Sequence, residues 1–315
     1  MKYNTIFFFI GITLLHLACK APKQLETKSE IVSVLDYGAD PSGKLDASLA
    51  FQNAINSNAP KVVVPAGRYR IDKTVEVKSF LFLEAGVHIY QGESAKEGPI
   101  FWLNKSNAIL AGEHKGVVVE SRKSSPFGII RIGHGQSNSK GGNILYCTVK
   151  NLTLKGNKGE GSIGIKLNNN QKKGNPSMAS YFHNIQNLII EYVDVGIHLL
   201  RMSNANSISQ IYFNRVGDSI HDAAIFIEGA MENRIYDCFH HLSPNAATIR
   251  MKNYGDLSPV YNYIYGIVSE QGGDQALCLD FYNGKHNIIE INCNTLKGSR
   301  LRENFEGQKN ALKRK

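Results

Sequence analysis

Short runs in which apolar and polar residues alternate recur along the chain from about residue 150, each closed by Asn, Gly, Ser or Asp. One set comprises Ile163–Asn168, Gly196–Leu200, Ala224–Glu228, Thr248–Lys252 and Leu277–Asp280. A second set begins at Asn151, Asn187, Gln210, Asn233, Asn262 and Asn287, and its later members lie 23 to 29 residues apart. That interval is about one coil of a solenoid. Helical periodicity is absent here, so the repeating unit is not an amphipathic helix. The expected fold is all-β, a parallel β-helix in which each coil buries its apolar stripe against its neighbours. An antiparallel sandwich would need unusually even strand spacing to give the same pattern.

Composition agrees with one large β domain. The chain has 315 residues, 42% hydrophobic and 20% charged, enough to bury a core. A mean hydropathy of -0.24 and a single continuously apolar stretch exclude a disordered chain and a multi-span membrane protein. The 36 Lys and Arg against 27 Asp and Glu leave a formal net charge of +9, which favours an anionic partner.

The apolar stretch is Ile6–Leu15, preceded by Lys2 and followed by His16-Leu17-Ala18-Cys19. A basic start, a short apolar run and a small residue at the break make residues 1–18 a secretory signal, too short for a mature membrane span. Leu17-Ala18-Cys19 resembles a bacterial lipoprotein cleavage box, with His16 where that box usually has an aliphatic residue. The resemblance implies lipidation of Cys19, a polar tether over 19–30 and an exported, membrane-anchored protein of the cell envelope. The β-helix domain is then expected over 31–296 and a basic tail over 297–315, which caps the last coil as a short helix or stays loose, the loose form being favoured for the final residues. Cys147, Cys238, Cys278 and Cys293 lack a zinc-ligand spacing, and export permits disulfides among them.

Toward the N-terminus stand Val34-Leu35-Asp36-Tyr37-Gly38-Ala39-Asp40, then Ala50-Phe51-Gln52, then Val64-Pro65-Ala66-Gly67-Arg68-Tyr69. This opening resembles that of the pectate lyase superfamily: a strand ending in D-Y-G-A, a short capping helix, then V-P-A-G-x-Y. The resemblance implies a right-handed parallel β-helix whose helix, around Ala50–Ser57, plugs one end of the solenoid. It also implies a groove over one long parallel sheet; such proteins are commonly hydrolases, lyases or epimerases of polysaccharides, or phage tailspikes. Asp46 or Ser48 is expected to cap the helix. Ala47 and Ser48 follow Asp46 where the family usually has a second acid and a Thr.

Fold does not fix function, so the site rests on side chains. In the first strand set, residues two apart point inward: Ile165/Leu167, Ile197/Leu199, Ile225/Ile227, Ile249/Met251 and Leu277/Leu279. The residues between them must share an outer face, which would carry Arg131, Lys166, Asn168, His198, Phe226, Glu228, Arg250, Lys252 and Asp280, with Cys278 beside them. A ring to stack on a sugar and cations to hold carboxylate or sulfate suit an acidic or sulfated polysaccharide. Arg131, Lys166, Phe226 and Asn168 are the candidate substrate-binding residues. Glu228, His198, Arg250, Lys252 and Asp280 are the candidate catalytic ones.

Two mechanisms compete. Glu228 and Asp280, two rungs apart, would stand about 9–10 Å from each other if their side chains ran parallel. That approaches the roughly 6.5–9.5 Å of an inverting glycosidase. Alternatively Lys252 or Arg250 takes the proton α to a uronate carboxylate while a neighbouring cation stabilises the enolate, giving β-elimination. His198 fits either scheme. A solvated face without activity, in a glycan-binding or structural surface protein, is the competing class.

Other motifs carry less. Gly133-His134-Gly135 matches a polygalacturonase-like G-H-G, but the N-T-D and D-D elements of those hydrolases are missing, so His134 is read as a turn residue. His221-Asp222 reads as an Asx-type turn. His240 and His241, being adjacent, would point opposite ways on a strand. No acid cluster suggests calcium and no Gly-rich loop suggests nucleotide, so neither metal nor cofactor is expected. Export argues against a nucleic-acid partner.

Overall fold

The computed structural model describes residues 31–134, 142–158, 161–168, 179–243, 245–271, 273–294, 298–301 and 305–314. The proposed signal, Cys19 and the tether lie outside the described residues. The chain winds into a right-handed parallel β-helix, built among the described residues from a sixteen-stranded, a nine-stranded and a three-stranded sheet. The nine-stranded sheet stacks one strand per coil from Val75–Val77 to Ser299–Leu301. The sixteen-stranded sheet has two limbs. Thr148–Lys155, Asn184–Glu191 and Ser207–Asn214 each pass from the near limb to the far limb through one left-handed residue, Asn151, Asn187 or Gln210.

The interior follows from the alternation. Ile165, Leu167, Ile197, Leu199, Ile225, Ile227, Ile249, Met251 and Leu279 are all fully buried in one continuous core. Each such side chain stabilises the fold by roughly 1.5–3 kcal/mol relative to exposure. Where the chain enters this sheet, small residues form an inward column, and Gly196 shows why. A Cβ there would stand 2.5 Å from the Phe213 ring and 2.5 Å from the Ala224 carbonyl. In the same turn of the strand, Ala224 and Ile225 both join the core, so strict alternation begins only afterwards.

That entry corrects one expectation. Cys278 faces inward beside Leu279 and forms a disulfide with Cys293, their Cα atoms 6.0 Å apart. Leu277, expected inside, packs in a small separate cluster with Ala223, Ala247 and Phe226. Cys147 and Cys238 are buried and free, and burial pushes both thiols up to about 12.

The second strand set also resolves into two corners. Leu152, Leu188 and Ile211 align in the far limb, whereas Ile235 aligns with Ile208 and Ile185 in the near limb. Asn233, Asn262 and Asn287 therefore belong with Asn206 and Asn310, not with Asn151 and Asn187. These five form a buried ladder: Asn206 donates its N–H (3.1 Å) and its side-chain amide (2.9 Å) to the Asn233 Oδ1, and the pattern repeats through Asn262 and Asn287 to Asn310. Each coil's corner amide is thus satisfied away from water.

At the N-terminal end, the helix Ser48–Asn56 buries Ala50, Phe51, Ala54 and Ile55 over the first coil, and Phe51 meets Tyr69 edge-on at 5.5 Å. Neither expected cap forms. Asp46 Oδ1 accepts from the Ser48 N–H and the Asp72 N–H, and Ser48 Oγ accepts from Asp72 and Lys73, so both stitch the helix start to the next coil. The basic tail also differs from expectation: Ser299–Leu301 and Ala311–Arg314 extend the two larger sheets, because Asn310 continues the ladder and Leu312 packs on the core.

Candidate active face

The nine-stranded sheet carries an unbroken outer column. Register sets Glu76, Trp102, Arg131, Lys166, His198, Phe226, Arg250, Asp280 and Arg300 side by side on successive rungs. Two residues further along each strand runs a second column, in which Leu200, Glu228 and Lys252 are neighbours and Asn168 pairs with Gly133. The side chain of Asn168 lies outside the described part of the structure. The residues read from sequence thus share one face, spread over two adjacent columns. The single column in which Glu228 stood two rungs from Asp280 does not exist, because Glu228 is offset along the strand.

The first column splits by environment. Asp280 is fully buried and held from both sides. Arg250 Nε donates to Oδ2 at 3.0 Å, and Arg300 Nε and Nη2 donate to Oδ1 and Oδ2 at 2.7 and 2.8 Å. Arg250 also donates to the carbonyls of His221 and Ile220, which pins the preceding loop over it. In that loop Asp222 Oδ2 accepts from the N–H groups of Asp218 and Ser219, four and three residues before it, not from one two residues on as in the expected Asx-type turn. Asp280 was the candidate acid or base of hydrolysis and Arg250 a candidate base of elimination. The geometry makes them a buried ion pair with no face free for a substrate. Neither can move a proton to or from solvent-side atoms.

The remaining candidates converge. His198 Nε2 and Glu228 Oε2 are 3.0 Å apart, and Lys252 Nζ lies 3.6 Å from the other oxygen of Glu228. His198 stacks flat on Phe226, centroids 4.7 Å apart and planes 4° apart, and the Arg250 guanidinium sits 6.0 Å from the far ring. On the other side Lys166 donates to the Pro126 carbonyl at 2.9 Å. Arg131 lies over Trp102 at 5.3 Å and donates to the His134 carbonyl at 2.7 Å. Lys252 is half exposed, whereas His198 and Glu228 keep only a small open surface.

Electrostatics follow from that burial. Burial pushes His198 below its ordinary range, against the opposing pull of Glu228, so its imidazole is neutral at pH 7. Burial pushes Glu228 up, but the hydrogen bond from His198 and the charge of Lys252 outweigh it, and the carboxylate stays ionised. Burial also lowers Lys166, helped by Arg131. A neutral imidazole oriented by a carboxylate, beside a lysine that sheds its proton more readily than usual, is chemistry for proton abstraction near an anionic group.

A concavity of about 670 Å³ opens on the far limb beside Glu120, Lys155 and Glu191, which stand on consecutive rungs and were not singled out in the sequence. Glu120 is bound there to His88 at 2.9 Å and to Lys155 at 3.6 Å. We place the candidate site over His198 because its groups are coupled and partly desolvated, whereas the far-limb charges form an open ionic ladder. Among the described residues, no group of three or more His, Cys, Asp and Glu is placed to hold a metal ion. His240 and His241 do face opposite ways: His240 is buried against Thr248 and Ser243, and His241 meets Tyr212 outside.

The family model described as rhamnogalacturonase A/epimerase, pectate lyase-like, matches residues 31–158. The N-terminal fragment of bacteriophage phi29 gene product 12 superposes with a TM-score of 0.59 at 17% identity, covering 82% of this chain and 46% of that one. The pre-mature form of the same phage protein gives 0.55 at 18% identity, over 82% and 36%. A tailspike protein of E. coli bacteriophage HK620 gives 0.49 at 15% identity, over 90% and 55%. The chain thus spans less than half the length of the two phi29 structures. No curated protein matches. The match to the pectate lyase-like family model covers less than half of the chain, and the solved structures establish the fold, a right-handed parallel β-helix.

Proposed function

We infer that the outer face of the nine-stranded sheet binds and cleaves an acidic or sulfated glycan by β-elimination. The observation that carries this is the Lys252–Glu228–His198 chain of contacts beside Phe226 and Lys166. Phe226, with His198 on one face and the Arg250 guanidinium over the other, offers its edge to the sugar. Lys166 is the cation that meets the uronate carboxylate, and Arg131, buried beside Trp102, adds positive charge behind it. His198, held by Glu228, or Lys252 beside them, takes the proton on the carbon α to that carboxylate. The resulting negative charge spreads onto the carboxylate, where the cations stabilise it. The bond to the leaving glycosidic oxygen then breaks, that oxygen takes up a proton, and an unsaturated end remains. The inverting-hydrolase alternative is disfavoured because Asp280 is sealed between two arginines.

The sequence Leu17-Ala18-Cys19 supports an exported protein lipidated at Cys19 and held at the cell envelope by the 19–30 tether. Labelling of the full chain with a radioactive fatty acid, lost on Cys19→Ser, tests that part. The activity is tested by incubation with polygalacturonate, alginate and chondroitin sulfate, following ultraviolet absorbance and reducing ends together. Growth of both supports elimination. Reducing ends without absorbance would select hydrolysis, and binding without either product would make the protein a glycan-binding module.

A further inference from the structure

The exposed rings of this chain gather on a second part of the molecule, at the corner leading into the near limb of the long sheet. Eight consecutive coils, from Asn107 to Lys309, each place one left-handed residue there, and between those two ends stand Tyr146, Phe182, Ala205, Glu232, Tyr261 and His286. That conformation disfavours bulky side chains, yet four of the eight carry a ring. Tyr146 stacks on Phe182 at 5.4 Å and Tyr261 on His286 at 5.0 Å. Tyr146, Phe182 and Tyr261 are each about half exposed.

The row is broken at Ala205 and Glu232, on two consecutive coils, and the break opens a concavity of about 490 Å³. Phe182 lines it, together with Tyr236 and Tyr265, which stack at 5.3 Å with planes 6° apart. Ser207, Glu232 and Arg234 supply its polar lining. Ser207 also lies 3.5 Å from the Tyr236 hydroxyl.

We propose that this break is a second saccharide-binding site, which seats a pyranose unit of a glycan chain away from the His198 face. A sugar ring is amphipathic. Its C–H face packs on the tyrosine and phenylalanine rings, and its hydroxyls exchange hydrogen bonds with Ser207, Glu232 and Arg234. A second protein surface fits less well, because the core of a protein interface is depleted in charge and this lining carries both signs. The inference rests on the glycan reading above for its class of ligand only.

The test uses the full chain in affinity electrophoresis through gels containing polygalacturonate, alginate or chondroitin sulfate. Ala205→Phe continues the ring row and fills the break, at a corner that already accepts rings at Phe182 and Tyr261. It is expected to weaken binding to the retarding polymer by about tenfold, leaving cleavage of short oligosaccharides unchanged. The paired change Tyr236→Ala with Tyr265→Ala is expected to do the same and decides the matter if Ala205→Phe misfolds. Affinity within about twofold of wild type in a folded variant overturns this site while sparing the reading of the His198 face. Wild-type chain that no polymer retards overturns the site together with the glycan class.

Discussion

Asp280 and His198 stand on the same outer column, three rungs apart, and their surroundings assign them opposite tasks. Around Asp280 two guanidiniums saturate a carboxylate that has no exposed surface. Asp280→Ala strands Arg250 as a buried, uncompensated charge, so a loss of about 3–5 kcal/mol is expected in urea unfolding. Activity per folded molecule should be nearly unchanged. His198→Ala removes a ring from a partly open face, and its effect should fall on turnover. Because burial lowers His198, its proton-accepting form persists below the usual imidazole range. The acidic limb of the kcat/KM profile should therefore lie below pH ~6.5, with activity lost as protonation removes the base. Glu228→Gln, which withdraws the carboxylate that favours the imidazolium, should move that limb still lower. Alternation in the sequence marked these residues as outward and no more. Which outward residues are roofed depends on the carbonyls of Ile220 and His221, and on Arg300 from a segment expected to be a loose tail.

Among the elements, the corner ladder and the small-residue column fix the register that brings the face together. Asn262→Ala removes the acceptor for both the Asn233 N–H and its side-chain amide, each in a site closed to water. The expected cost is about 2–3 kcal/mol, read as a lowered unfolding midpoint with an unchanged slope. Gly196→Ala forces a methyl against the Phe213 ring and should cost about 1–3 kcal/mol. It also disturbs the strand bearing His198, so both stability and turnover should fall. The Asn recurrence was visible in the sequence, but Asn suits two corners for different reasons. At Asn151 and Asn187 it adopts the left-handed bend, and at Asn233 and Asn262 it satisfies buried amides. Spacing alone could not separate them. Likewise the consecutive inward pairs at Ala224-Ile225 and Cys278-Leu279 break the two-residue period that placed Cys278 outside.

Over the whole molecule, the period of the strand runs, the D-Y-G-A opening and the V-P-A-G-x-Y segment made the solenoid legible, because each coil repeats one burial problem. The site was legible as a face and not as a mechanism, since ion pairing across coils joins residues about 30 positions apart with no local signature. The closed interior also sets an acid limit. Burial holds His183 down to about 3 and His240 down to about 4, whereas in the unfolded chain both take up a proton near pH 6.5. Between those limits the unfolded state binds more protons, so stability is full above about pH 6.5 and falls as the pH drops toward 4. Unfolding free energies from urea titrations between pH 7 and 4 should decline steadily, by roughly 3 kcal/mol for each histidine. The most direct test of the central claim is the initial rate of unsaturated-end formation by His198→Ala on a polymer that the wild-type chain cuts, with the variant's fold verified. A fall of about a hundredfold or more is predicted. A rate close to wild type would contradict the account by showing that His198 does not carry the chemistry.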